Sequence, residues 1–193
     1  MKNDLFSIGP FTVHGYGLMI AIGVLSAYYM VEYRAKKKQM DWEKVFPLTV
    51  WSVLGGFLGS KILYLLTRLP DILANPALLG SSIKDGFVVY GGIIGGILTA
   101  WIYCKCTKWN FWKIFDIAMP AVAMAQGFGR IGCLLAGCCY GIELDPANPI
   151  GIVFHNSAYA PNDVALLPTQ IISSVLDFAN CFVLLALSKK LKT

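Results

Sequence analysis

The chain has 193 residues, 56% of them hydrophobic and only 14% charged, with a formal net charge of +5 and a mean hydropathy of +0.62. A water-soluble domain carries about 25% charged residues, so this composition excludes a surface bathed in water on all sides. The bulk of the chain is expected in lipid. Its positive balance implies contact with anionic lipid and gives no case for nucleic acid.

Crossing the hydrocarbon takes about 20 mostly apolar residues, and the candidate spans follow in chain order. The first is Tyr16–Tyr33, stopped by the basic run Arg34, Lys36, Lys37 and Lys38. No A-x-A cleavage site follows it, so it is expected to stay as structure. The second runs from about Val45 to Leu66 and the third from about Phe87 to Tyr103. A fourth covers about Phe115 to Phe128, and Ile131–Leu135 either lengthens it or forms a re-entrant piece. The fifth is about Leu166–Leu187, closed by Lys189, Lys190 and Lys192. All five are expected as helices, because a spanning helix satisfies its own backbone polar groups. No period of 20–50 residues repeats, so the expected fold is all-α: one polytopic membrane domain over Met1–Thr193.

Of the sixteen lysines and arginines, eleven fall after the first span, after the third and in the tail. Lys2, Arg68 and Lys84 fall on the opposite side, and Lys61 and Arg130 in or beside spans. With the basic side cytoplasmic, the N-terminus is expected outside and the C-terminus inside.

A charge within the bilayer costs roughly 2.5–3.5 kcal/mol on insertion scales, so Lys61, Asp116, Arg130 and Asp177 each need a reason. Pairing is one: either aspartate can neutralise either cation. Arg130 invites another, since its planar fork of donors suits a phosphate and Gly129 and Gly132 leave room for a head group. Gly55, Gly56 and Gly59 in the second span, and Gly91, Gly92, Gly95 and Gly96 in the third, have the spacing of close-packed helix interfaces. They are also compatible with a cleft for an acyl chain.

The stretch GRIGCLLAGCCYG, Gly129 to Gly141, gathers Cys133, Cys138 and Cys139. A disulfide among them is open in an oxidising space. No C-x-x-C or H-x-x-x-H spacing exists, so spacing assigns no metal. Cys104, Cys106 and Cys181 read as packing residues.

FSIGPFTVHGYGLMIAIG, GGFLGSKILYLL, GFVVYGGIIGG, PAVAMAQGFGRIGCLLAGCCYG and LPTQIISSVLD, spread from Phe6 to about Asp177, together resemble the prolipoprotein diacylglyceryl transferase family. FSIGPFTVHGYGLMIAIG is similar to the family's opening, with Tyr16 on its tyrosine. In GGFLGSKILYLL, Lys61 stands where the family usually has arginine and Tyr64 on its tyrosine. GFVVYGGIIGG resembles a segment in which the family's histidine is Tyr90 here, followed by Gly91 and Gly92. PAVAMAQGFGRIGCLLAGCCYG resembles the signature, with Gln126, Arg130 and Gly141 on matching positions, Cys133 and Ala136 at its asparagines, and Cys138 at its glutamate. LPTQIISSVLD carries over Pro168 and Gln170, with Ser173 at a glutamate. The family's late F-R-x-x-x-E element has no counterpart up to Thr193. Leu135-Ala136-Gly137-Cys138 also spells a lipobox, but it follows four spans rather than an N-terminal signal, and reads as coincidence.

The resemblance implies transfer of diacylglyceryl from phosphatidylglycerol, or a similar anionic phospholipid, to a cysteine of a lipobox-containing prolipoprotein at the outer face of the bacterial plasma membrane. It implies no cofactor. Arg130, Tyr16, Tyr90 and Cys133 are the expected catalytic residues. Arg130 would steady the departing glycerol phosphate, and Tyr16, Tyr90, Asp177 and Glu143 are the candidate bases. Cys133 is alternatively a covalent lipid carrier. Lys61, Tyr64, Gly91, Gly92, Gln126, Gly129, Gly132, Gly141 and Gln170 are the expected substrate-binding positions. The rival reading is a non-catalytic lipid-binding or transporter-like membrane protein that keeps the fold.

Overall fold

The computed structural model describes residues 4–8, 11–75, 80, 82–83 and 86–190; Lys2, Lys84 and Lys192, counted above for orientation, lie outside them. Five helices are long and apolar enough to cross a membrane. They are α1 (Gly15–Lys37), α2 (Val45–Thr67, entered through a 3-10 turn at Trp42–Lys44), α4 (Val89–Cys106), α5 (Phe111–Ala136) and α6 (Thr169–Lys190). A short α3 (Leu69–Ala74) follows α2. Large apolar side chains such as Phe57, Ile94, Leu176 and Phe182 stand outward on them, with Phe182 70% exposed. In water that surface would be costly. In lipid it is the ordinary exterior of a spanning bundle.

Strands, absent from the sequence reading, occur at two places. β1 (Asp4–Ile8) pairs antiparallel with β2 (Phe11–His14), and β3 (Ile152–Val153) pairs antiparallel with β4 (Ala165–Leu166). The second hairpin belongs to a small lobe between α5 and α6. Phe154, Ala160 and Leu166 form its core, against Leu134, Ile152 and Val164.

At one boundary the structure decides between two open readings, and at another it differs from the sequence reading. The fourth span is one continuous helix to Ala136, so Ile131–Leu135 lengthens it rather than turning back. The first helix runs through the basic run to Lys37, and Arg34, counted above as a loop charge, is buried within it at 8% exposure. A helix end rich in lysine is stable here because cations suit the negative C-terminal end of the helix dipole.

The chain divides into two compact units. One comprises Met1–Arg34 and Asp116–Thr193. Within it Gly23 of α1 lies against α5: a Cβ there would come 3.0 Å from the Ala125 carbonyl and 3.2 Å from Phe128 Cβ. Gly127 likewise admits the Phe178 ring of α6, and Ser174 Oγ donates to the Gly127 carbonyl at 3.0 Å. The unit also holds a proline, Pro120, buried inside α5.

The other unit is Ala35–Phe115. Its axis is the pairing of α2 with α4. Cβ atoms built on Gly55, Gly59, Gly91 or Gly95 would strike backbone atoms of the facing helix or, at Gly55, the Thr99 side chain. The close-packing reading of these glycines therefore holds, because only hydrogen fits between the two backbones. At one end Leu48, Cys104 and Ile114 form a core with Met40, Tyr103 and Trp109 around it. Tyr103 OH donates to the Lys44 carbonyl there at 3.2 Å.

Candidate functional site at the end of α5

Gln126, Arg130 and Cys133 are spaced four and three residues apart on α5, which sets them along one stripe of the helix. Gln126 donates from Nε2 to Asp177 Oδ1 on α6 at 3.1 Å, leaving Asp177 Oδ2 buried with no hydrogen bond among the described residues. Arg130 is half-buried. Among the described residues it makes no ion pair and no hydrogen bond, and its charge reaches Cys133. Asp116 and Asp177 therefore do not neutralise it by contact. A Cβ on Gly129 would meet nothing within 4 Å, so the backbone beside the guanidinium borders open space.

Gly132 has a different reason. A Cβ there would lie 3.2 Å from Tyr16 Cδ2 and 3.3 Å from Met19 Cβ, so this glycine lets the start of α1 approach α5. Tyr16 is 42% exposed and within electrostatic reach of Cys133, Cys138 and Cys139.

The end of α5 explains how the thiols come together. Gly137 takes φ +72°, its N–H bonds the Leu134 carbonyl at 3.1 Å, and the Cys138 N–H bonds the Cys133 carbonyl at 3.0 Å. These two bonds are the Schellman termination, in which a left-handed glycine folds the chain back over the last turn. The motif sets the residue after the glycine, Cys138, beside Cys133. Cys139 then adopts φ +58°, a second left-handed residue. The three sulfur atoms all lie within 4.8 Å of one another. Burial and the neighbouring thiols push the Cys138 thiol up to about 12.

The LPTQ segment holds this turn. Thr169 Oγ1 donates to the Cys139 carbonyl and Gln170 Nε2 to the Cys138 carbonyl, both at 2.8 Å. Gln170 is fully buried, and its Oε1 has no hydrogen bond among the described residues. Gly141 donates to the Leu167 carbonyl at 3.0 Å, and a Cβ there would press on Leu167 and Thr169. Its role is close approach of two chain segments.

Lys61, Tyr64, Tyr90, Gly91 and Gly92 belong to the other unit. Lys61 Nζ donates to the carbonyls of Ser82 at 3.0 Å and Gly86 at 3.1 Å, and lies 4.7 Å from the Phe87 ring centre. The ammonium therefore ties the backbone at Ser82 and at Gly86 to α2, a task invisible in the sequence. Gly86, at φ +77°, abuts the Tyr64 ring. Tyr90 points outward and is 74% exposed. Gly91 packs on Gly59 and Gly92 on Gly56.

Five helices long and apolar enough to cross a membrane define a multi-pass membrane protein, and Arg130 is half-buried on one of them with no ion pair among the described residues. The family pattern described as "Prolipoprotein diacylglyceryl transferase" matches residues 3–193. The chain is 44% identical over 191 residues to the phosphatidylglycerol-prolipoprotein diacylglyceryl transferase of Clostridium tetani, covering 98% of this chain and 75% of that protein. It is 42% identical over 179 residues to phosphatidylglycerol-prolipoprotein diacylglyceryl transferase 2 of Clostridium perfringens, covering 93% of this chain and 69% of that one. A relative of the same name from Dehalococcoides mccartyi is 32% identical over 166 residues, of which this chain spans 63%. The chain belongs to the prolipoprotein diacylglyceryl transferase family.

Proposed function

We propose that this protein transfers diacylglyceryl from phosphatidylglycerol to the cysteine thiol of a lipobox-containing prolipoprotein. The reaction is placed at the outer face of the bacterial plasma membrane, with the lysine-rich helix ends cytoplasmic and the N-terminus outside. The names of the relatives support the substrates. The observation that carries the site is Arg130, a guanidinium with no protein counter-ion among the described residues, beside the open Gly129 backbone.

In this reading the fork of Arg130 grips the lipid phosphate in two parallel hydrogen bonds. The acceptor thiolate attacks the glyceryl carbon, a C–S bond forms and the C–O bond to phosphate breaks. Glycerol phosphate leaves with the electron pair, and Arg130 stabilises its growing charge. The buried Gln170 Oε1 can accept from a head-group hydroxyl, and Tyr16 borders the thiols at the same helix end. Tyr90 is a candidate base and Lys61 and Tyr64 candidate substrate contacts in the other unit, where Lys61 Nζ also donates to the Ser82 and Gly86 carbonyls.

The test is direct. Purified chain in phosphatidylglycerol vesicles should convert a lipobox peptide to its diacylglyceryl thioether, read by mass spectrometry. Lipid binding without any thioether would favour the non-catalytic reading instead.

A further inference from the structure

Of the thiol triplet at the end of α5, Cys133 alone is given an expected part in the chemistry above, and Cys138 and Cys139 have none. Its sulfurs come from three backbone positions held by the Schellman turn, and the Cys138 and Cys139 carbonyls are anchored by Gln170 and Thr169. The turn is thus fixed by bonds that do not involve the sulfurs, whose own side-chain hydrogen bonds run among the three thiols. The sulfurs lie within 4.8 Å of one another. A zinc–sulfur bond is about 2.3 Å, which puts sulfurs on a tetrahedral ion about 3.8 Å apart, so closing on a cation asks for about 1 Å of movement. Cys139 is exposed and Cys133 and Cys138 half-buried, giving a cluster open on one side.

We propose that Cys133, Cys138 and Cys139 form a three-thiolate site for a zinc-class divalent cation, whose fourth position takes the acceptor thiol of the transfer. Three protein ligands and one open position are the arrangement of catalytic rather than structural zinc. Borderline-soft cations prefer such sulfur sets over oxygen. Three thiolates and a dication sum to one negative charge, and the positive charge of Arg130 reaches Cys133 to offset it. Each ligand thiol releases its proton to solvent on binding. The acceptor thiol does the same, because a coordinated thiol is deprotonated outright. Its thiolate then makes the C–S bond as glycerol phosphate departs, and the reaction needs no separate base. The use of the fourth position rests on the transferase reading; the three-sulfur site does not.

The full-length chain, reduced and freed of metal by chelation, is titrated anaerobically with CoCl2. One equivalent should bind with a sulfur-to-cobalt charge-transfer band, and ZnCl2 should displace it. Cys138→Ser and Cys139→Ser should lose the band, and Cys106→Ser should keep it. Because a serine variant can fail to fold, the unchanged protein gives a second readout. Zinc should shield Cys133, Cys138 and Cys139 together from alkylation while the exposed Cys106 reacts. A lipobox peptide should then intensify the cobalt spectrum, and its Cys→Ser version should not.

No stoichiometric binding, a disulfide between two of the three in reduced protein, a spectrum blind to the cysteine peptide, or a lipid adduct on Cys133 overturns the proposal. Full transfer by metal-free protein also overturns it while leaving the transferase reading intact. A cobalt spectrum that answers to the peptide without any transfer keeps the metal site and removes the transferase reading.

Discussion

Arg34 donates from Nη2 to the backbone carbonyl of Asp116 at 3.4 Å, across 82 residues of sequence. That carbonyl is the one an ordinary residue at position 120 would bond. Pro120 has no N–H and its ring crowds the carbonyl four residues back, so α5 carries an orphan acceptor that an arginine from α1 supplies. The pairing helps to explain how a cation stays buried here with no ion pair within contact distance among the described residues, the Asp116 charge acting on it from further off.

A double-mutant cycle tests this. Arg34→Met should cost about 1–3 kcal/mol by leaving the carbonyl unsatisfied. In a Pro120→Ala background the helix N–H returns and the cost should shrink, giving a coupling of roughly 0.5–3 kcal/mol. Denaturant unfolding in micelles measures both, and equal costs in the two backgrounds would refute the link.

The α2–α4 contact makes a graded prediction. Gly59→Ala and Gly91→Ala push a methyl into facing backbone, and should destabilise by about 1–3 kcal/mol. At Gly96 a Cβ would sit 3.5 Å from the Ser52 carbonyl, an ordinary contact. Gly96→Ala should therefore be neutral or stabilise by up to about 1 kcal/mol through helix propensity. Thermal unfolding of the three variants checks the order.

Arg130→Lys keeps the charge and loses the fork. Turnover in the vesicle assay should fall by about 10²–10³-fold. Unfolding should barely change, since Arg130 has no hydrogen-bond partner among the described residues. A loss of stability equal to that of Arg34→Met would identify Arg130 as structural.

Gln170→Ala deprives the Cys138 carbonyl of its donor in a fully buried position. We expect a loss of about 1–3 kcal/mol. Hydrogen exchange should rise at 137–141, where the turn is released. Thr169→Val, removing the bond to the Cys139 carbonyl, should act in the same direction.

The Cys138 thiol, pushed up to about 12 by burial and its thiol neighbours, gives a pH dependence in chelated protein. An unfolded thiol ionises near 8.5, so the folded state holds its proton more tightly. This contribution to stability is complete below about pH 8.5 and is lost as pH rises toward 12. Iodoacetamide at pH 8 should modify exposed Cys106 well before Cys138, because the thiolate is the reactive form. Unfolding midpoints that rise between pH 9 and 11 would contradict the assignment.

Hydropathy is a sum over neighbours in the chain, so the five spans, the glycine faces and the family resemblance of the GRIG and LPTQ stretches were readable from residues alone. The fourth span was the uncertain one, since glycines at 127, 129 and 132 look like breaks; the bundle overrides them because each fits an approach or an opening. What escaped the sequence are meetings between atoms far apart in it. Nothing local marks Arg34 as the donor for a proline-freed carbonyl, Lys61 as the donor to the Ser82 and Gly86 carbonyls, or Gln170 as the clamp on a cysteine turn. The three thiols were visible as a group, but spacing did not show how near their sulfurs come: Cys133 and Cys138 are five apart, and the left-handed Gly137 folds one over the other. Composition decides what solvent a chain needs, because burial energy scales with area whatever its order. Which polar atoms answer one another is decided by the fold, because a hydrogen bond or a ligand set forms only at a few ångströms and in one geometry.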